Sequence, residues 1–315
     1  MYEMIVGQLA ATIRILTPLA LAALGELIVE RSGVLNLSIE GIMLFGAFVG
    51  FIATYYTNDP WIGILSAMGI GILLALIFGV FTVLLALDQI IVGLSMNILA
   101  MGATFFFYRA IFGWYVSPVP PHVKTLITEV PIPGLSMIPI IGPALFNQTV
   151  FTYLLLFVLI PLTYFMLYRT RIGLHLRACG EDPLVADYLG INVYKYRFMA
   201  LVIEGVLGGI AGALLSISQY NMFLDNMTAG RGYIAVALVI LGRWDPLRML
   251  LGALLYAFVD AFQLRIQAAG VVVTAWFPYQ FALMLPYVVA LIALILFGRR
   301  IRGPRSLAKP YRRVK

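Results

Sequence analysis

RTRIGLHLRACGEDPLVADYLGINVYKYR, residues Arg169–Arg197, is the only long polar segment lying between two segments apolar enough to be membrane helices. A polar insert between two such runs is held outside the bilayer, so its task is contact with something soluble. Within it, Asp182 followed by Pro183 reads as a helix start: the Asp carboxylate caps orphan N–H groups, and Pro at the first helical position needs no donor. Gly190 reads as the stop. Between them Leu184, Val185, Tyr188 and Leu189 recur at i, i+1, i+4 and i+5, which places an apolar face on a short helix in a basic loop. A two-turn helix is too short to be stable alone. Its apolar face must therefore be covered, either by the protein's own membrane domain or by a partner's groove.

Composition sets the solvent. Of 315 residues 62% are hydrophobic and 11% charged, too little polar surface for a water-soluble globule, so the chain uses lipid as solvent and is an all-α polytopic membrane protein. One cysteine, Cys179, and two histidines, His122 and His175, exclude a disulfide framework and a His/Cys metal cluster. The first apolar run has no basic region before it, which argues for a retained first span and against a cleaved leader. The net charge of +7 does not point to nucleic acid, because the basic residues are clustered in three stretches. Arg169–Arg197 is the first, Arg243–Arg248 the second, and the tail 298–315 the third, with Arg299, Arg300, Arg302, Arg305, Lys309, Arg312, Arg313 and Lys315. By the positive-inside rule all three are cytoplasmic. Charge alone makes the tail a membrane-surface anchor attracted to anionic lipid.

Apolar runs long enough to span fall near 4–29, 34–57, 61–86, 89–112, 149–168, 198–217, 248–266 and 278–297. A ninth, 231–242, is too short and reads as a half-helix or re-entrant element. The expectation is one transmembrane domain over 1–315, with about 8–9 segments of which one or two are broken, in an inverted-repeat arrangement. Whether 231–242 crosses decides on which side the N-terminus lies. The loop 113–148 carries seven prolines, which forbid a continuous helix, and reads as an extracytoplasmic cap.

The second run opens Arg31-Ser-Gly-Val-Leu-Asn-Leu-Ser-Ile-Glu-Gly41, with glycines and polar groups that a lipid-facing helix would not tolerate. Irregular backbone at membrane depth persists only where protein or a water-filled cavity satisfies it. Together with 231–242 it gives one interrupted segment in each half of the chain, the pattern of a transport site between structural repeats. The alternative is two interfacial helix starts. Asn36, Ser38, Glu40, Gln89 and Asn97 are the candidate pathway residues, since they offer uncharged hydrogen-bonding groups and one carboxylate. Glu204, Asp260 and Arg14 also fall inside apolar runs, where an ionisable group is costly and is usually paired. Gly205, Gly208, Gly209 and Gly212 form small-xxx-small patterns that let helices pack closely.

SGVLNLSIEGIMLFGAFVGF, PIPGLSMIPIIGPALFNQ, GEDPLVADYLGINVYKYR and GRGYIAVALVILGRWDPLRMLLGALLYAF together resemble the ATP-binding-cassette (ABC) importer permeases for branched-chain amino acids and simple sugars, most closely their nucleoside-importer branch. The resemblance covers nearly the whole chain in order. It implies a permease subunit that pairs with a second, related permease, an ABC ATPase subunit and an extracytoplasmic substrate-binding protein. It also makes 169–197 the coupling loop, with Glu181, Asp182, Pro183, Leu184, Val185, Ala186, Tyr188, Leu189 and Gly190 as the ATPase-contacting element. Val185 stands where that family usually has a first alanine.

Independently of resemblance, the chain contains no G-x-x-x-x-G-K-[ST] and no Gly-Lys pair, so it cannot hold ATP through a P-loop. No cofactor of its own is expected, ATP being bound by the partner ATPase. Three function classes compete. An ATP-driven importer subunit explains the apolar helix in a basic loop. An ion-coupled secondary transporter using Glu40, Glu204 or Asp260 explains the buried acids alone. A membrane enzyme lacks any evident nucleophile, metal cluster or acid–base pair.

Overall fold

The computed structural model describes residues 2–113, 120–268, 279–297 and 302–313. Part of the 113–148 loop, and Arg299, Arg300 and Lys315 of the tail, lie outside the described residues. The helices are α1 (Tyr2–Arg31), α2 (Ile39–Thr57), α3 (Pro60–Gly79), α4 (Gln89–Phe112), α5 (Ile141–Leu145), α6 (Val150–Tyr153) and α7 (Ile160–Arg169). They continue with α8 (Arg171–Glu181), α9 (Pro183–Tyr188), α10 (Val193–Leu214), α11 (Arg231–Leu241), α12 (Pro246–Ala268) and α13 (Tyr279–Phe297). Wider π-helical turns prolong α3 to Leu84 and α10 to Gln219, and join α6 to α7. Among the described residues seven helices are long and apolar enough to cross a membrane, while α11 and the Leu283–Ile295 part of α13 are apolar but shorter. Each expected apolar run therefore contains a helix, although the run 34–57 turns helical only from Ile39.

Caps follow from local chemistry. Asp59 accepts from Trp61 N–H and Asp88 from the N–H groups of Ile90 and Ile91, opening α3 and α4. The loop that follows α4 is kept out of helix by its prolines and instead forms a two-residue antiparallel pairing, β1 (Val130–Pro131) with β2 (Asn147–Gln148), around α5. It caps one end of the bundle: Gln148 Nε2 donates to the Ala10 carbonyl, Thr125 Oγ1 to the Asn58 carbonyl, and Arg14 pairs with Glu129. Arg14 is thus half exposed at the bundle end and paired there, because the apolar run extends to the loop that pairs it.

At the other end of α1, Arg31 donates to the Trp244 carbonyl and to Tyr168 Oη, and the Gly180 backbone packs on Arg31. A 30-residue helix is about 45 Å long at ~1.5 Å per residue, enough to separate the two ends by a bilayer. The 120–148 loop and Tyr2 therefore share one end, and α8, α9 and Trp244 the other. Residues after α10 resolve the ninth segment. Gln219 donates to Arg14 at the loop end, the Gly230–Gly232 stretch meets Glu40 inside, and Trp244 reaches Glu30 at the opposite end. The segment 220–244 is one broken crossing, not a re-entrant loop: its first half is irregular and its second half is α11.

The centre is built by α1, α2 and α10, which are mostly buried, while α4 is mostly exposed. Small residues permit this. A methyl group at Gly212 would collide with the Met43 carbonyl of α2, and one at Gly209 with the Ala67 carbonyl of α3, so α10 lies backbone to backbone against both. Ile91, Ile98, Leu99 and Phe106 of α4 are exposed, as a lipid-facing helix requires.

Candidate functional site

The seven residues between α1 and α2, Ser32 to Ser38, are non-helical yet mostly buried, so their backbone groups need partners inside the protein. The polar residues singled out from the sequence supply them. Gln89 Oε1 accepts from Leu35 N–H at 2.8 Å. Asn97 Oδ1 accepts from Gly41 N–H at 2.8 Å, and Asn97 Nδ2 donates to the Leu37 carbonyl and to Tyr233 Oη. Asn36 Oδ1 accepts from the Ser38 N–H and hydroxyl, and Asn36 Nδ2 donates to Glu204 Oε2 at 2.7 Å. Asn36, Ser38, Glu40, Gln89 and Asn97 are all buried, and the structure brings them together around this one irregular segment.

Glu40 links the two interrupted segments. Its Oε1 accepts from Thr228 Oγ1 at 2.6 Å and Gly230 N–H at 2.8 Å, and its Oε2 from Gly232 N–H at 2.7 Å. Gly230 has φ of +82° and precedes α11, so the carboxylate of one broken segment caps the half-helix of the other. An anion at a helix N-terminus is favoured both by the free N–H groups and by the helix dipole. Gly232 is required there, because a Cβ would lie 2.6 Å from the Glu40 backbone. An apolar cavity of about 380 Å³ lies between α11 and α13, lined by Tyr233, Ile234, Leu238, Tyr287 and Leu291 among others. Tyr233 connects that cavity to Asn97.

Sequence reasoning missed two carboxylates. Glu26 and Glu30 stand one turn apart on α1, fully buried. Glu26 Oε1 accepts from Asn36 N–H, the Glu26 and Glu204 carboxyl groups face each other, and Glu30 Oε2 accepts from Trp244 Nε1. The signal lies in GELIVERSG, where two acids at i and i+4 precede the break. Glu204, which in the sequence is a costly lone acid, is instead part of this group. Asp260 is apart from it on α12, half-buried and facing Arg231. Among the described residues no group of three or more His, Cys, Asp or Glu is placed to hold a metal ion.

At the end opposite the proline-rich loop, α9 forms between the expected start and stop. Asp182 Oδ1 accepts from the N–H groups of Leu184 and Val185, and Gly190 adopts φ of +82°. Ala186 faces inward, while Leu184, Val185, Tyr188 and Leu189 are 43, 52, 79 and 75% exposed. The apolar face is therefore not covered by the protein's own membrane domain. Glu181 and Asp182 are exposed beside it and Pro183 is half-buried.

The tail 302–313 is seated on the protein rather than extending free of it. Ser306 donates N–H and hydroxyl to the Gly180 carbonyl, Arg313 pairs with Asp187 at 3.0 Å, and Tyr311 is buried with Cys179, Ala186 and Val193. Its buried residues are few and widely spaced, which is why composition disclosed only the charge. Burial pushes the Cys179 thiol up to about 11 and, together with the nearby Asp187 carboxylate, the Tyr311 phenol up to about 12. Arg197 lies fully buried beneath Tyr311, its Nε donating to the Ser32 carbonyl. One side chain thus touches both the tail and the start of the broken segment.

Among the described residues, nine apolar helices with two broken segments joined at mid-bundle, and an uncovered amphipathic helix at one end, define a multi-pass membrane protein of the permease class. The chain belongs to the family described as branched-chain amino acid transport system / permease component, whose model matches residues 8–298. It is 42% identical over 264 residues to the putative glucose ABC transporter permease protein TsgC13 of Haloferax volcanii, covering 83% of this chain and 78% of that one. It is 34% identical over 309 residues to the guanosine ABC transporter permease protein NupQ of Bacillus subtilis, covering 96% and 95%. With the nucleoside ABC transporter permease protein NupC of Lactococcus lactis subsp. cremoris it shares 33% over 296 residues, 92% of each chain. Bacillus subtilis holds a second, more distant relative, the guanosine ABC transporter permease protein NupP, 24% identical over 256 residues, covering 78% of this chain and 70% of that one. No solved structure matches the chain.

Proposed function

We propose that this chain is the membrane-spanning subunit of an ATP-driven importer in the cell membrane, carrying a nucleoside, with a separate ATPase seated on α9. The observation that carries this reading is the exposed apolar face of Leu184, Val185, Tyr188 and Leu189, held ready by the Asp182 cap at the end opposite the proline-rich loop. The chain is not itself an enzyme and binds no cofactor; ATP belongs to the partner. The end bearing α8, α9 and the tail faces the cytoplasm, and the 113–148 loop faces outward towards a substrate-binding protein. A second, related permease completes the pathway, as the two guanosine permeases named for Bacillus subtilis favour.

The geometry supplies a mechanical route. Movement of α9 is passed through Gly190–Asn192 to α10, whose Glu204 grips Asn36 of the broken segment. The same segment is tied by Glu40 to α11. Asn36, Ser38, Glu40, Gln89 and Asn97 therefore act by holding the two broken segments that wall the pathway, and opening of the pathway works against their hydrogen bonds. The ion-coupled alternative has no support: both Glu40 oxygens and one oxygen of Glu204 accept from protein donors, and Asp260 faces Arg231. A simple sugar is the second reading for the cargo, favoured by the TsgC13 similarity.

The test substitutes Leu184→Asp or Leu189→Asp. Burying a leucine is worth about 1.5–3 kcal/mol, and a charge placed there loses water without gaining a partner. The expected result is loss of ATPase retention and of guanosine uptake in reconstituted vesicles, with the melting temperature of the isolated permease unchanged. A destabilised permease that keeps its ATPase refutes the assignment of α9. Competition of guanosine uptake by glucose, but not by other nucleosides, would move the cargo to the sugar class.

A further inference from the structure

The tail creates a surface that the sequence did not disclose. Its residues alternate between anchors and exposed cations: Pro304, Ser306 and Tyr311 are buried, whereas Arg302, Arg305, Lys309 and Arg312 are exposed. The anchors are specific contacts, Ser306 on the Cys179 and Gly180 carbonyls and Tyr311 among Cys179, Ala186 and Val193. Among the described residues Arg313 is the tail cation that forms an ion pair, with Asp187 on α9. Arg305, Lys309 and Arg312 instead line a cleft of about 450 Å³ whose other wall is Glu181, Asp182, Pro183 and Leu184. The cations thus share one concavity with Leu184, the edge of the exposed apolar face of α9.

A body that buries Leu184 must also enter the cleft, and it dehydrates Arg305, Lys309 and Arg312 as it does so. A charge removed from water without a partner is strongly unfavourable, so a neutral or basic body would be rejected. Glu181 and Asp182 offset the cleft only in part: two carboxylates stand against Arg305, Lys309 and Arg312, which leaves the lining net positive. Arg169, Arg171 and Lys195, also at this end of the protein, add to the same sign of field.

We propose that residues 302–313 and α9 form one composite docking surface, and that its partner is a protein groove with an apolar floor for Leu184 and Leu189 and a carboxylate-bearing rim for Arg305, Lys309 and Arg312. The inference rests on the reading of α9 as the ATPase seat and specifies the chemistry of that seat. The tail confers selectivity: an ATPase whose groove lacks the acidic rim is excluded even where its floor fits.

The experiment uses the full-length permease in nanodiscs and the ATPase subunit isolated with it, with binding measured at low and high salt. The triple variant Arg305→Glu, Lys309→Glu, Arg312→Glu leaves the Ser306 and Tyr311 anchors in place. Expected is an affinity loss of about tenfold or more at low salt that shrinks at high salt, with an unchanged melting temperature. A water-soluble carbodiimide should also join Lys309 to an Asp or Glu peptide of the ATPase. Leu189→Asp serves as the control: if it too leaves binding intact, the seat itself is misassigned. If Leu189→Asp abolishes binding while the triple variant binds as wild type, the acidic-rim inference is overturned and the seat stands. A triple variant affected only when the nanodisc contains phosphatidylglycerol would mean that the cations face lipid, which also overturns it.

Discussion

Replacing Glu40 by alanine tests the join between the two broken segments directly. The carboxylate takes three hydrogen bonds, from Thr228 Oγ1, Gly230 N–H and Gly232 N–H, in a position that is only 5% exposed. Each buried donor left unsatisfied costs about 1–3 kcal/mol, and losing an anion at a helix N-terminus costs a further ~0.3–2 kcal/mol. Water entering the vacated space recovers part of this, so a net loss of about 3–6 kcal/mol is expected. At ~2 °C per kcal/mol for a chain of this size, that is a fall in Tm of roughly 6–12 °C. Glu40→Gln keeps the shape and one acceptor but turns an N–H donor towards the α11 amides, so its fall should be intermediate. Thermal unfolding in nanodiscs, with hydrogen exchange at the Gly230 and Gly232 amides, reads both effects. A Glu40→Ala protein that melts within about 2 °C of wild type, with exchange at the start of α11 unchanged, refutes the carboxylate as the cap of that half-helix.

Gly212→Leu drives a side chain into the Met43 carbonyl, and overpacking of about 1–3 kcal/mol or more should reduce the yield of folded, monodisperse permease, with Gly212→Ala showing a smaller loss of the same kind. Cys179 should resist maleimide in the wild type, being buried with its thiol raised to about 11, and Tyr311→Ala should make it reactive by freeing the tail. The sign for stability is set by that rise: the thiol contributes fully below its unfolded value and its contribution is lost as pH climbs through the window up to about 11, readable as a Tm difference between wild type and Cys179→Ser. Single cysteines at Thr170 and Thr128 in a Cys179→Ser background should label from opposite sides of a sealed vesicle; labelling of both from one side would contradict the topology.

Features governed by neighbours in the chain could be read directly from the residues. Apolar run length located the spanning helices, and Asp182-Pro183 and Gly190 located α9, because solvation by lipid and helix capping are local matters. The interrupted stretch after Arg31 was legible for the same reason: glycines and polar groups there cannot face lipid. Partners across the fold were not legible. Glu40 reads as a candidate pathway residue, but nothing in its own stretch tells that α11, some 190 positions away, supplies N–H groups to its carboxylate. Glu26 and Glu30 look like the end of an apolar run until Asn36 and Trp244 close on them. The tail discloses only its charge, and its seat beside α9 through Ser306 and Tyr311 is not written in that charge. These three pairings emerge only once the chain is folded, because a hydrogen bond between distant residues leaves no periodicity in either of the stretches that contribute to it.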